Sequence, residues 1–304
     1  MVASSDDKSS SAIDDPVLEP AVLGESVLER IDVTSAAAVS TRVAPLVGCV
    51  GKKARTAAVI VAGGRGERLG HAGGKQMMSV LGKPLLTWCL QSFDAVPQVG
   101  HIVVCCPESR IEEYRRIAVE PYDLVTPIDI VPAGELRQTS AFNGVEAVPK
   151  GFDVIAMHDG ARPLILPETI THAINTLRGT LDADGVVCGH PAIDTLKVID
   201  GDAVVGTPDR SMFWVAQTPQ IFHTDILRQA HLAALEEGFI GTDDSSLVER
   251  IGGRVVLVTC PRDNIKLTVP EDVAQVEASL RARYGDPAVE ACGEPSSCTN
   301  PKEA

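Results

Sequence analysis

A β-branched run leads into a glycine-rich loop with cations in the stretch Val59-Ile60-Val61-Ala62-Gly63-Gly64-Arg65-Gly66-Glu67-Arg68-Leu69-Gly70-His71-Ala72-Gly73-Gly74-Lys75-Gln76. Glycines permit positive φ and bring backbone N–H groups close to an anion, while Arg65, Arg68 and Lys75 add positive charge. The segment therefore predicts a strand that ends in a phosphate-binding loop. Taken alone, it also fits a strand-to-helix turn with solvated surface cations.

Two common phosphate loops do not fit this spacing. A Walker A loop requires glycine where Leu69 stands and Ser or Thr where Gln76 stands. A dinucleotide fingerprint that starts at Gly64 also needs glycine at position 69, and Gly70 comes one residue late. The spacing excludes a Walker A loop and argues against a dinucleotide-binding loop.

Composition limits the possible partners. The chain has 304 residues and a formal net charge of −14, which disfavours nucleic acid or an anionic membrane surface as a partner. Cations that bind a polyanionic substrate must therefore be gathered locally.

The eight cysteines form no zinc-type cluster, and five of them lie in apolar runs as expected of reduced thiols. The beginning of the chain lacks a signal-peptide pattern and no stretch has about 18 apolar residues, so we expect a cytoplasmic protein.

The middle of the chain alternates strand-like and helix-like segments. We expect residues 1–54 to be an acidic disordered extension, residues 55–284 to form the folded domain, and residues 285–304 to be a disordered tail. Strands are predicted near residues 57–62, 101–106, 128–131, 153–158, 185–189 and 255–260. Helices are predicted over residues 85–93 with Pro84 at N1, 137–148, 168–177, and 224–237 with Thr224 as the cap. This order predicts an α/β fold with a mostly parallel sheet covered by helices on both faces, and ligands at the carboxyl ends of the strands.

A β-hairpin interrupts this alternation. Residues 194–206 read as two strands around Asp200-Gly201, without a helix to cover them. A bare hairpin is marginal in water, so we expect it to pack on the same arm of a second subunit or to fold back on its own domain.

Polar residues follow several predicted strands. The predicted strand over residues 153–158 ends in the motif His158-Asp159-Gly160-Ala161-Arg162-Pro163. In this motif Asp159 could hold a ribose hydroxyl or magnesium, and Arg162 could hold a phosphate. An ion pair between the two residues that braces a turn is equally compatible. Arg210 offers a planar fork for a phosphate and Thr218 a hydroxyl for a polyol, although each alone could be a turn residue. Further along, Lys266 is predicted on a short strand over residues 265–269, where a lysine commonly just faces solvent. The residues around Thr242 could cap a helix that ends near Glu249 or reach a sugar, and capping is the simpler interpretation.

In order, these motifs resemble one family. The glycine loop with Lys-Gln, Gly-Glu-x-Arg-x-x-Ser, His-Asp-x-Ala-Arg-Pro, Asp-Thr-x-Lys, Asp-Arg, Thr-Pro-Gln-x-Phe, Thr-Asp-Asp and Asp-Asn-Ile-Lys-x-Thr resemble 2-C-methyl-D-erythritol 4-phosphate cytidylyltransferase over residues 57–284. The resemblance implies a Rossmann-like α/β sheet and a projecting β-hairpin arm (about 191–211) exchanged across a homodimer. It also implies magnesium-dependent transfer of a cytidylyl group from CTP to the polyol phosphate, with release of pyrophosphate.

The same resemblance assigns roles to particular residues. It makes Arg68 and Lys75 the cations that stabilise the α-phosphate, and it makes Arg210 and Lys266 the residues that hold the methylerythritol phosphate. It implies nucleotide contacts at Ala62, Gly63, Gly64, Lys75, Gly134, Glu135, Ser140, Asp159 and Gly160. It implies substrate contacts at Arg162, Thr195, Arg210, Thr218, Thr242 and Lys266, and Asp159 is the candidate magnesium ligand.

Two residues depart from the family pattern, and two other activities stay open. Gly160 replaces a usual alanine, and Gly74 replaces the proline common before the lysine, which bears on loop rigidity more than on chemistry. Ribitol 5-phosphate cytidylyltransferase shares the glycine loop and the His-Asp motif, although Lys197, Asp209-Arg210 and Thr242-Asp243-Asp244 look more like the methylerythritol enzyme. An NAD-dependent dehydrogenase on a similar sheet is disfavoured by the displaced third glycine.

Overall fold

A computed structural model describes residues 55–64 and 74–285, and every structural statement below concerns those residues. The predictions for the N-terminal extension, for Arg68 and for most of the C-terminal tail lie outside the described residues. Arg65 lies outside them as well.

Eleven strands and seven α-helices are found in the described part of the chain. The strands are β1 (Thr56–Val61), β2 (Ser79–Val80), β3 (Lys83–Pro84), β4 (Val99–Cys106), β5 (Ile128–Pro132), β6 (Val154–Asp159), β7 (Gly185–Pro191), β8 (Val198–Asp200), β9 (Ala203–Gly206), β10 (Trp214–His223) and β11 (Val255–Thr259). The helices are α1 (Leu85–Asp94), α2 (Ile111–Tyr114), α3 (Arg137–Ala147), α4 (Pro167–Gly179), α5 (Thr224–Glu237), α6 (Asp244–Arg250) and α7 (Glu271–Tyr284).

Seven of the strands form one sheet in the order β11-β7-β10-β6-β1-β4-β5. All neighbouring pairs are parallel except those of β10, which runs antiparallel to β6 and β7. The prediction of a mostly parallel sheet is confirmed. The register pairs Val61, the last residue of β1, with Asp159, the last residue of β6, so the glycine loop begins beside that carboxylate.

Helices cover both faces of the sheet, as predicted. Because side chains alternate along a strand, Ala58 and Ile60 of β1 pack with α1 and α4, whereas Ala57 and Val59 pack with α3, α5 and α6. Because β1 is a central strand buried on both faces, its apolar run continues without interruption up to the glycine loop. A third apolar cluster joins Leu267 to α7 and to the β2–β3 ribbon.

The hairpin prediction is confirmed at the level of local structure. Strands β8 and β9 pair antiparallel as a separate two-stranded sheet, with Gly201 at φ 58° in the turn. Its side chains are mostly in solvent: Ile199 is 65% exposed and Val204 is 59% exposed.

Several local predictions were wrong. Residues 265–269 form no strand. The Leu267 N–H does donate a backbone hydrogen bond to the Ala161 carbonyl at 2.8 Å. Thr224 is the first residue of α5 rather than its cap, since its hydroxyl donates to the Phe152 carbonyl. Pro84 occupies the N-cap position of α1 and not N1.

Candidate active site

A pocket of about 180 Å³ opens where the carboxyl ends of β1 and β6 meet the start of α3. Parallel sheets generally bind ligands at this edge, and the sequence analysis expects a ligand here. Its walls combine glycine backbone, three cationic side chains and carboxylates, and they are formed by Val61, Gly63, Gly64, Lys75, Gln76, Gly134, Glu135, Leu136, Arg137, Ser140, Asp159, Ala161 and Lys266.

Two glycines allow the pocket loops to approach each other. A Cβ on Gly63 would lie 2.4 Å from the Ala133 Cβ, and one on Gly134 would lie 2.2 Å from the Thr139 hydroxyl oxygen. Both distances are shorter than real contacts, so a side chain at either position would push the backbone away. These glycines, for which nucleotide contacts are predicted, are therefore required by the packing of the loops.

The N-terminus of α3 forms the wall opposite β1. The Ser140 hydroxyl accepts from the Gly134 N–H at 3.0 Å and donates to the Leu136 carbonyl at 2.8 Å, while the Thr139 hydroxyl accepts from the Leu136 N–H. These bonds fix the turn that leads into the helix. The positive end of the helix dipole then lies at the pocket edge, where it favours an anion.

Asp159 lies at the centre of a cluster of cations. Its Oδ2 is 2.8 Å from Lys266 Nζ and 3.9 Å from Arg162 Nε, and its Oδ1 accepts from Arg137 Nε at 3.2 Å. Burial alone would raise the pKa of this carboxyl, but Arg137, Lys266 and Arg162 outweigh burial and hold the pKa well below its usual range. The carboxylate is therefore ionised at neutral pH. Cations gather here although the whole chain is strongly acidic.

Arg137 is a site residue to which the sequence reasoning gave no role. Besides Asp159, its guanidinium reaches Asp244 Oδ2 at 2.9 Å, and the Asp244 side chain is 1% exposed. Burial opposes the charge of Arg137, but Asp244 and then Asp159 raise its pKa above the usual value. The signal was present as the arginine of Gly-Glu-x-Arg-x-x-Ser, two residues after the predicted contact at Glu135.

Lys75 and Lys266 line the same pocket, although 191 positions separate them (266 − 75). The Lys75 ammonium donates to the Leu267 carbonyl at 2.8 Å, directly after Lys266. Leu267 is fully buried in the third apolar cluster, and burying such a side chain is worth about 1.5–3 kcal/mol. Its burial anchors the segment that carries Lys266.

A neutral histidine, His158, is linked to the backbone of Asp159 through the Thr218 hydroxyl. The His158 Nε2 lies 3.2 Å from the Arg162 carbonyl, which can only accept, so Nε2 carries the proton and Nδ1 accepts from the Thr218 hydroxyl at 3.1 Å. The Thr218 oxygen in turn accepts from the Asp159 N–H at 3.0 Å. Burial lowers the pKa of His158 to about 4, against a smaller opposing effect of Asp159. Thr218 is thus buried beneath the carboxylate and not on the pocket wall.

Other residues with predicted roles lie off the walls of this pocket. Arg210 donates to the Ile193 carbonyl at 2.6 Å next to the hairpin, and Thr195 and Thr242 are exposed. Arg162 donates to the Asn264 carbonyl at 2.9 Å and faces Asp159 from behind. Ala62 and Gly160 are buried at the ends of their strands. Their ligand contacts remain predictions.

The described residues offer limited protein ligands for a metal. No group of three His, Cys, Asp or Glu side chains in the part of the chain described here is placed to hold an ion. One ionised carboxylate in the pocket, Asp159, nevertheless fits Mg²⁺, which is commonly held by one or two carboxylates together with substrate phosphates and water. Its Oδ1 contacts one cation, Arg137, and retains a second lone-pair direction.

A doubly covered, mostly parallel sheet with a glycine loop and clustered cations at its carboxyl edge defines an α/β protein of the nucleotidyltransferase type. A family model for 2-C-methyl-D-erythritol 4-phosphate cytidylyltransferase matches residues 56–282. The chain belongs to this family.

Named relatives and solved structures agree with that assignment. The chain is 41% identical over 225 residues to the 2-C-methyl-D-erythritol 4-phosphate cytidylyltransferase of Caldanaerobacter subterraneus subsp. tengcongensis, which covers 74% of this chain and 98% of the relative. It is 39% identical to the enzyme of that name from Geotalea uraniireducens, over 75% of this chain and 97% of the relative. The crystal structure of 4-diphosphocytidyl-2C-methyl-D-erythritol synthase from Anaerococcus prevotii superposes with a TM-score of 0.66 at 28% identity, covering 75% of this chain and 97% of that one.

None of the helices in the described part of the chain has the length and apolar character needed to cross a membrane.

Proposed function

We propose that this chain transfers the cytidylyl group of CTP to 2-C-methyl-D-erythritol 4-phosphate, which gives 4-diphosphocytidyl-2-C-methyl-D-erythritol and pyrophosphate, a step in isoprenoid precursor synthesis. The observation that carries the proposal is the match of the family over residues 56–282, which includes every described residue of the pocket. The relatives named above bear the name of this activity.

The chemistry agrees with the residues present. A phosphate oxygen of the polyol phosphate attacks the α-phosphorus of CTP, and the bond from that phosphorus to the bridging oxygen of pyrophosphate breaks. The attacking oxygen is already ionised at neutral pH, so the site needs no general base. The obstacle is the repulsion between two polyanions and the charge on the α-phosphate, for which fixed cations are the remedy.

Lys75 and Lys266 supply this charge in the proposal. Lys75 stabilises the α-phosphate together with Arg68, and Lys266 holds the polyol phosphate together with Arg210. Lys266 can keep its contact with Asp159, because an ammonium group has three donors. Arg137 fixes the same carboxylate from the other side.

Magnesium and a second subunit belong to the proposal as well. Asp159 would hold Mg²⁺, which would neutralise phosphate charge and orient the triphosphate when bound. The exposed apolar side chains of the hairpin support a homodimer through this arm, since such residues favour burial against a partner. A cytoplasmic location is supported by five buried free thiols, as expected in a reducing compartment.

Pyrophosphate release tests the activity. The purified chain with CTP and Mg²⁺ is expected to release pyrophosphate with 2-C-methyl-D-erythritol 4-phosphate, and more slowly with ribitol 5-phosphate. Faster turnover of the ribitol compound would reassign the substrate. CTP with magnesium is also expected to raise the unfolding midpoint, whereas stabilisation by NAD instead would favour a dehydrogenase.

A further inference from the structure

Gln138, in the first turn of α3, bonds to a segment more than a hundred positions away. Its Nε2 donates to the Phe239 carbonyl at 3.0 Å, and its Oε1 accepts from the Gly241 N–H at 2.9 Å. One amide group thus uses both of its ends to fix the backbone of residues 239–241. This segment connects α5 to α6.

The other side of the segment is fixed by its own helix. A Cβ on Gly241 would lie 2.5 Å from the Ser246 hydroxyl oxygen and 2.7 Å from a Leu247 methyl group, so the backbone lies directly on α6. Asp243 caps that helix by accepting from the Ser246 N–H at 3.0 Å. The segment therefore has one path, with α6 on one side and Gln138 on the other.

The fixed segment adjoins the pocket. Arg137, which precedes Gln138, lines the pocket and contacts Asp244, three residues after Gly241, at 2.9 Å. Thr242 lies between the residues held by Gln138 and those held by Arg137, and it is exposed. The helix that forms the nucleotide wall thus also sets the position of Thr242, the residue predicted to contact the polyol.

We propose that Gln138 is a positioning residue for the second substrate: through its two backbone hydrogen bonds it holds residues 239–242 against the nucleotide-binding helix, so that the polyol phosphate is bound in register with the nucleotide. The inference rests on the proposed function. Gln138 acts through the backbone and takes no part in the chemistry itself.

Steady-state kinetics of Gln138→Met test the inference, because methionine keeps the length of the side chain and removes both hydrogen bonds. We expect the KM for 2-C-methyl-D-erythritol 4-phosphate to rise about tenfold, which corresponds to about 1.4 kcal/mol, while the KM for CTP changes by less than about twofold. The matched control is Gln98→Met. Gln98 directly precedes β4 and therefore lies at the amino ends of the parallel strands, away from the pocket. Its side-chain amide donates to Asn175 with a distance of 2.7 Å. We expect both KM values to stay unchanged in this variant.

Each outcome decides one question. Wild-type chain that releases no pyrophosphate from CTP and the polyol phosphate would overturn the proposed function. Active wild type combined with an unchanged polyol KM in Gln138→Met, or with an equal rise in both KM values, would overturn the role of Gln138 alone. If Gln138→Met does not fold, Gln138→Glu keeps the acceptor and loses the donor to Phe239, and the same rise confined to the polyol phosphate is expected; its absence would be equally decisive.

Discussion

Replacing Arg137 by methionine is expected to cost the protein far more stability than loss of an ordinary ion pair. The guanidinium joins Asp159 to Asp244, whose side chains are 10% and 1% exposed. Methionine fills most of the volume but leaves Asp244 as a buried carboxylate whose nearest cationic candidate is His231, at 3.2 Å. Removing one partner of a buried pair costs about 3–5 kcal/mol, a large part of the total stability of a typical domain.

Equilibrium unfolding in urea at pH 7 measures this loss, and the chain offers a matched control. Arg178 pairs with Asp153 at 3.0 Å at the other end of β6, but Asp153 is 60% exposed, so Arg178→Met should cost less than about 1 kcal/mol. Adding Asp244→Asn to Arg137→Met should restore part of the loss, because it removes the stranded charge. The reasoning is refuted if the two methionine variants lose equal stability, or if Asp244→Asn adds to the damage.

Three further predictions follow from burial and packing. The pKa of His158 is lowered to about 4 in the folded protein from about 6.5 in the unfolded chain, so the free energy of unfolding decreases as the pH falls from 6.5 towards 4. In urea unfolding, His158→Gln should remove this pH dependence, which amounts to up to roughly 3 kcal/mol. Replacement of the exposed His172 by Gln should leave it in place. Gly134→Ala should abolish stabilisation by CTP in a thermal shift assay, because its Cβ would meet Thr139, whereas Gly179→Ala has open space and should keep it; equal behaviour of both variants would contradict the packing argument. Alkylation of the native protein followed by mass spectrometry should spare five buried thiols until urea is added, and rapid native labelling of any of them would contradict their burial: Cys89, Cys105, Cys106, Cys188 and Cys260.

The sheet could be predicted because its parallel strands carry their signal locally. The run at Ala57 and the apolar runs of β4, β6 and β7 mark strands that are buried on both faces, and the helices between them follow from length and spacing. Strand β10 was missed, since Pro219 and the polar residues around it resemble a turn. In the structure the register of β10 with β7 shifts between Ala216 and Gln220, so a residue without an N–H interrupts no regular ladder there.

The site could be predicted only in part. Asp159 was found because it ends a strand, and Lys75 because it follows a glycine loop. The contact between Arg137 and Asp244 joins residues 107 positions apart, and no local pattern reports such a pair. Lys266 was placed on a strand that does not exist; it reaches the pocket because the neighbouring Leu267 is buried in an apolar cluster, a tertiary contact that no local pattern reports.

The structure explains how the backbone accommodates the two residues that depart from the family pattern, Gly74 and Gly160. Gly74 has φ 70°, a value that the ring of proline forbids, so in this chain the backbone enters the turn at Lys75 by a path closed to proline. A Cβ on Gly160 would lie 3.2–3.3 Å from atoms of Val61, Ala62 and Ile60, a tight but nearly sufficient space for alanine.

A crystal structure of the chain with CTP and magnesium tests the central claim most directly. We expect the triphosphate in the pocket between β1 and α3, with the ammonium groups of Lys75 and Lys266 facing it and Lys75 within about 4 Å of a phosphate oxygen, the distance of an ion pair. A nucleotide bound elsewhere on the molecule, with both lysines out of reach of its phosphates, would contradict the account.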